Sequence, residues 1–429
     1  MDEGTTQTAP SAVDGEKGQP SPRRQPGVRP PQAWQSVFLP ALAVFTGLLI
    51  GAIVIVVTDA TVMTAYRGFF RAPAAALAAT WRAVATAYGA LLYGSLGSPK
   101  EMLQAIRSYL STGDSALLLR ALYPLTESLV AATPYIFGAL GVALGFHCNL
   151  FNIGAEGQIG IGALGAVWVG YSLVGVPRLV HLPLAMIGGA LAGAIWAAVP
   201  GYLKAKTGAH EVVNTIMMNW ISFRFSDWLL NGPMKAPGYR PVSPGIQDSA
   251  MLPRFFPAPS RLSLGFLLAL GAAALVYWFL FKTTLGFEIR TVGANPRAAR
   301  YAGMSITRNI VLAMVLSGAL AGLAGASQVL GVDHWVGQGF SAGYGFDALA
   351  IALLGNSHPG GVVLAALLFG ALRNGATRMQ SLAGIPIDII GIIQALVIVF
   401  VAAPAIIRGL YRIRERRALQ PAAVAEGGE

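Results

Sequence analysis

The chain has 429 residues, of which 55% are hydrophobic and 11% charged, with a mean hydropathy of +0.59 and a formal net charge of +11. Soluble domains carry about 25% charged residues, so this composition excludes a soluble protein and points to an all-α, polytopic membrane protein. The basic residues fall between apolar blocks, which argues for membrane orientation and headgroup contact rather than nucleic-acid binding, and the single cysteine, Cys148, excludes an internal disulfide.

Residues 1–37 are rich in Pro, Gln, Gly and Ser. They read as a disordered cytoplasmic tail, because they hold too little apolar surface to order themselves. The apolar block 38–58 is too long for a cleavable leader and reads as a signal anchor. From there to 408 the chain reads as one membrane domain, with 409–429 as a second cytoplasmic tail. Blocks of the length a helix needs to cross a bilayer lie at 38–58, 124–146, 158–176, 182–203, 211–230, 262–282, 309–331, 343–356, 360–377 and 387–408. That makes about ten transmembrane helices, with the eighth short enough to be a re-entrant piece. Ten crossings put both termini on one side. Sixteen basic residues fall on the segments that would then be inner, against seven on the short outer loops, Arg373 and Arg378 among them. The bias predicts cytoplasmic termini.

The long outer stretch 59–123 holds a segment, 66–94, whose apolar runs alternate with Arg67, Arg71 and Arg82. It is expected as an amphipathic helix on the outer surface. The proline-rich segment 231–261 is expected as an ordered external loop without regular structure. Gly138, Gly141 and Gly145, Gly189 and Gly193, and Gly318, Gly322 and Gly325 each fall close to one helix face. Such faces serve tight helix packing or a seam between subunits.

Four polar runs interrupt the apolar pattern. The first, 149–158, offers Asn149, Asn152, Glu156 and Gln158 among glycines. Such groups at membrane depth line protein or water. The run is therefore either a broken helix aiming amides at a polyhydroxylated or heterocyclic solute, or a cytoplasmic turn in which Glu156 is a cap. The second run carries Asn214 and Asn219 on an expected helix, followed by Arg224 and Asp227 at pairing distance. That pair reads as structural, near the outer interface, or as functional. The third begins with Asp347 and ends in a Gly/Pro-rich turn containing Asn356. Short interrupted spans of this kind mark transport pathways. In the fourth, 286–303, Asn295 can cap a short helix that Pro296 opens and Gly303 ends. Ala298, Ala299 and Tyr301 would make a compact knob for a partner's groove. No phosphate loop, paired-histidine motif or nucleophile elbow is present.

The runs NLFNIGAEGQIGIGA, HEVVNTIMMNWI, VGANPRAARYAGM and GYGFDALAIALLGNSHPGG, in this order over about 120–408, together resemble bacterial ABC permeases of the branched-chain amino acid and simple-sugar superfamily, nearest to those of nucleoside importers. The resemblance implies an ABC importer permease fold and no catalytic or cofactor site in this chain, ATP being bound by a partner. It implies an ABC ATPase subunit, a second permease (the same or a different chain) and an extracytoplasmic solute-binding lipoprotein as partners. The implied place is the bacterial cytoplasmic membrane. Asn149, Asn152, Glu156, Gln158, Asn214, Asn219, Asp347 and Asn356 would line or brace the substrate path. Gly293, Asn295, Pro296, Ala298, Ala299, Tyr301 and Gly303 would form the coupling loop on the ATPase. The alternative is an ion-coupled secondary transporter, for which Glu156, Asp347 and Asp388 would be the titratable candidates.

Overall fold

The computed structural model describes residues 35–411, except 114, 342, 387, 403–405 and 407–409. The expected tails therefore lie outside the described residues, but for 35–37, 410 and 411. Among the described residues the chain is helical, with two isolated β-bridges and no strand.

A first group of helices comprises α1 (Gln35–Thr58), α2 (Ala60–Arg67), α3 (Pro73–Leu96) and α4 (Pro99–Thr112). The central group comprises α5 (Ser115–His147), α6 (Ala155–Ser172), α7 (Arg178–Thr207), α8 (Glu211–Asn231) and α9 (Leu264–Lys282). The last group comprises α10 (Thr284–Ala294), α11 (Pro296–Tyr301), α12 (Ile306–Gln328, continued by a π-turn to Asp333), α13 (Tyr344–Leu354), α14 (Pro359–Ala383) and α15 (Asp388–Ala402). Each of the ten expected spans has its helix. Six of them, α1, α5, α7, α9, α12 and α14, are long and apolar enough to cross a membrane alone. With 11 residues, α13 is about 16 Å long, half the bilayer core.

The segment expected on the outer surface is instead built into the bundle. Ala87, Ala90 and Leu91 of α3 are buried, and Gly94 lies against Gly375 and Arg378 of α14. The Tyr88 hydroxyl donates to the Leu48 carbonyl of α1. The alanines and glycine on this face let the α14 backbone approach, while Trp81 and Arg82 stay exposed on the other side. Trp81 and Arg82 therefore mark the outward face of a helix whose second half packs on the bundle.

Glycine governs the centre. Gly162 of α6 faces the backbone of Gly322, and Gly193 of α7 faces Gly318 and Gly322, so that a Cβ on any of them would collide with backbone. Gly141 of α5 faces the Ser317 carbonyl in the same way, while Gly138 packs against the side chains of Ala348 and Ile159. The small-residue faces are thus used within the chain, for close helix contact.

At one end of the bundle, residues 232–263 and 334–341 lie over α5, α6 and α12. Backbone bonds join them: Ser243 N to Val336 O at 2.9 Å, Ile246 N to His334 O at 3.0 Å and Leu252 N to Leu330 O at 2.8 Å. Buried Glu127 of α5 accepts the Arg261 amide at 3.1 Å and its Nε at 3.0 Å. The proline-rich segment is ordered, as expected. The opposite end carries α10, α11 and the α13–α14 turn, where His147 Nε2 meets the Ser357 carbonyl at 3.1 Å.

Candidate functional site

The run after α5 is a broken helix. The Gly145 carbonyl accepts the amides of Cys148 and Leu150, and Asn149 turns the chain with φ of 56°. The next residues fold back into the protein. Asn152, fully buried, donates through Nδ2 to Gln158 Oε1 and to Ser317 Oγ, each at 2.9 Å, and its Oδ1 accepts the Gly154 amide at 3.0 Å. Asn219 reaches in from α8: its Oδ1 accepts the Gly157 amide at 2.9 Å and its Nδ2 donates to Ile153 O at 3.0 Å. Asn152, Gln158 and Asn219, expected to line or brace the path, thus bond to groups of the protein itself. They hold the start of α6 open inside the bundle, where irregular backbone must find partners.

A second half-helix meets it. Gly138, nine residues before the end of α5, touches both Ile159 and Ala348, which puts the first turns of α6 and α13 well inside the bundle. Glu156, 3% exposed, accepts the amides of Gly343 at 2.9 Å and Gly345 at 2.6 Å. It is a cap, as one sequence reading had it, but on another helix at depth and not in a surface turn. The positive ends of two helix dipoles share this one carboxylate.

Beside it lies a polar cluster that the sequence signalled only through Asp347. Tyr135 of α5 donates to Asp347 Oδ2 at 2.7 Å and accepts from Arg373 Nη1 at 2.8 Å. Arg373 stands 3.6 Å from the same carboxylate and 4.6 Å over the Tyr344 ring. Arg373, counted with the outer basic residues, is in fact inside α14, with Arg378 on the same helix. Tyr135, Tyr344 and Ser317 were missed because each reads as an ordinary helix residue until its partner is known.

Three expected site residues lie elsewhere. Asn149 and Asn356 are exposed at positive φ, at the end that carries α11, and Asn356 lines a cleft of about 470 Å³ between α1, α13 and α14. Asn214 is half-buried on α8, and its amide nitrogen has no hydrogen-bond partner among the described residues.

The fourth run has the local structure expected. Asn295 Oδ1 accepts the amides of Arg297 at 3.0 Å and Ala298 at 3.1 Å, Pro296 opens α11, and Gly303 leaves it at φ of 80°. Its two faces differ. Tyr301 is 95% exposed, and Ala298 is exposed beside it, whereas Ala299 is fully buried against the body of the protein. Gly293 also looks inward, its α-carbon against the backbone of His147 and Cys148. Ala299 therefore seats the knob and is covered, a correction to the expected surface, while half-buried Gly293 lets α10 approach the end of α5.

Residues 125–402 match the family described as branched-chain amino acid transport system / permease component. The chain is 42% identical to the guanosine ABC transporter permease protein NupP of Bacillus subtilis, over 70% of this chain and 87% of that one. It is 36% identical to the glucose ABC transporter permease protein TsgB13 of Haloferax volcanii, over 72% and 85%. It is 37% identical to the nucleoside ABC transporter permease protein NupB of Lactococcus lactis, over 66% and 79%. Each of these organisms holds a second, less similar relative, at 31%, 28% and 28% identity respectively. No solved structure matches the chain. These matches set aside the ion-coupled reading, and the broken helices and capped half-helix belong to a multi-pass permease subunit of an ABC transporter, a member of the branched-chain amino acid transport system / permease component family.

Proposed function

We propose that this permease carries nucleosides inward across the cytoplasmic membrane, driven by a separate ATPase subunit. The supporting observation is the 42% identity, over most of both chains, to a permease named for guanosine. The match to a permease named for glucose supports a polyhydroxylated sugar ring as the element such solutes share. The termini and 283–308 face the cytoplasm, and 231–261 faces outside. On this reading the exposed face of α11, with Tyr301 and Ala298, docks on the ATPase, which alone binds ATP. The permease binds no cofactor and performs no reaction of its own. An external solute-binding lipoprotein delivers the solute at the opposite end, and a second permease completes the channel.

The path passes the region where α6 and α13 begin. Asp347 and Glu156 contribute there, while Asn152, Gln158 and Asn219 brace the broken helix. Asn214 lies along the flank of α8, and Asn149 and Asn356 lie at the cytoplasmic exit. The test is uptake of labelled guanosine by the complete transporter in proteoliposomes with internal or external ATP. Uptake that needs ATP on the ATPase side, and that excess adenosine inhibits more than excess glucose, supports the reading. Uptake of glucose with no uptake of guanosine overturns the substrate, and uptake without ATP overturns the mechanism.

A further inference from the structure

The helix α8 is long enough to cross a bilayer, about 32 Å at 1.5 Å per residue, yet it is not among the helices apolar enough to do so alone. It sits at the edge of the bundle, packed on α6 and α7. Its inner face is spent on Thr215, Asn219 and Ser222, all buried. Its outer face is a continuous stripe: Met217 is 55% exposed, Trp220 59%, Ile221 52% and Trp228 60%. In the middle of that stripe stands Arg224, whose side chain is 80% exposed. It pairs with Asp227 at 3.6 Å, whose side chain is itself 36% exposed.

A guanidinium held outward on a membrane helix is costly against lipid and is normally turned toward protein or water. The residues around it are of the kind that carry binding energy at protein interfaces, two tryptophans and an arginine. A partner covering the stripe would need an apolar surface for Trp220 and Trp228, with an acceptor group opposite Arg224. It would also need a helical body of matching height. Another permease of this family has that height. Three organisms each hold two relatives of this chain, one at 36–42% and one at 28–31% identity, which favours two different chains over two copies.

We infer that the outward stripe of α8, centred on Arg224, is the seam with a second, paralogous permease subunit. This rests on the reading above that a second permease completes the channel. The seam places an acceptor group of the paralogue against the Arg224 guanidinium, so the ion pair with Asp227 is one part of a larger interfacial network.

The test uses the complete transporter in its own membrane. A photo-crosslinking amino acid is placed at Met217, at Ile221 and, as a control, at Leu275 of α9, which is 62% exposed. Products are identified by mass spectrometry. The expected result is an adduct with the paralogous permease from both α8 positions and none from α9. Separately, Arg224→Leu should lower recovery of the paralogue at least fivefold while leaving membrane insertion of this chain unchanged. Adducts with lipid, or with a second copy of this chain, overturn the proposal. So does Arg224→Leu with unchanged recovery. If the paralogue is recovered but crosslinks only through α9, the surface is wrong and the two-permease reading survives. If no second permease is recovered at all, both fail.

Discussion

Glu156, in the first turn of α6, closes the first turn of α13 by accepting the Gly345 amide at 2.6 Å. Gly345 in turn has no room for a Cβ, which would collide with the Glu156 backbone. Each half-helix therefore fixes where the other begins. Two helix N-termini, each worth about half a positive charge, are offset by one carboxylate. A hydrogen bond to a charged group contributes about 1.5–3 kcal/mol. Glu156→Ala should thus lower the melting temperature of the purified transporter and abolish uptake, and Glu156→Gln, which keeps an acceptor, should do less of both. A Glu156→Ala variant that melts and transports like wild type would remove the capping role.

The sequence made this partly legible. Polar residues and glycines inside an apolar run announced that the helix breaks at 149–158, because such groups are tolerated at depth only when bonded. What the pattern could not say is where the bonds go. Asn152 and Gln158 are six residues apart and bond each other, but Ser317 and Asn219, which complete the brace, are 165 and 62 residues away from their partners. Amides suited to a solute are equally suited to a brace, and only tertiary position separates the two. Arg373 was misplaced for a related reason: a lone arginine near a span's end reads as loop until Asp347 and Tyr135 are found beside it. The knob at 295–303 was legible because capping is local, but its buried side was not, since Ala298 and Ala299 are identical in type and differ only in direction.

Glycine substitutions at the helix crossing separate packing from flexibility. A methyl on Gly322 would strike the Gly189 backbone, whereas one on Gly160 meets nothing within 4 Å. Overpacking costs about 1–3 kcal/mol, while replacing a helical glycine by alanine in open space gains up to about 1 kcal/mol. Gly322→Ala should reduce monodisperse yield and melting temperature, and Gly160→Ala should leave them equal or raise them. Equal behaviour of the two variants in size-exclusion and thermal-shift measurements would refute the crossing geometry.

Coupling is testable at residues that face out. Tyr301 is 95% exposed, and an aromatic that serves as the hot spot of an interface contributes about 2 kcal/mol or more. Tyr301→Ala, or a charge at exposed Ala298, should cut co-purification of the ATPase by about tenfold or more, since about 1.4 kcal/mol is a factor of ten. The permease itself should still insert and melt normally. Ala299→Glu is a different experiment: Ala299 is 0% exposed, so the substitution buries an unpaired carboxylate and should destabilise the permease whether or not the ATPase binds there. Normal co-purification with Tyr301→Ala and Ala298→Glu together would show that α11 is not the docking surface.

The single native cysteine makes orientation measurable without first removing it. Cys148 is 3% exposed, and burial pushes its thiol up to about 12. The thiolate is the reactive form. At pH 7.5 the group is thus both covered and protonated, and it stays protonated as the pH rises to 9. A maleimide should leave the folded wild-type protein unlabelled at either pH and modify it only as heating unfolds it. Against that silent background, Arg297→Cys on exposed α11 and Tyr239→Cys, at a site 103% exposed in the loop 232–263, report the two ends of the bundle. In intact cells a membrane-impermeant maleimide should label Tyr239→Cys and spare Arg297→Cys until the membrane is opened. The opposite pattern would invert the orientation, putting α11 outside, where no ATPase could reach it. It would also remove the physical basis for coupling through Tyr301, because a docking helix must lie on the side where ATP is hydrolysed.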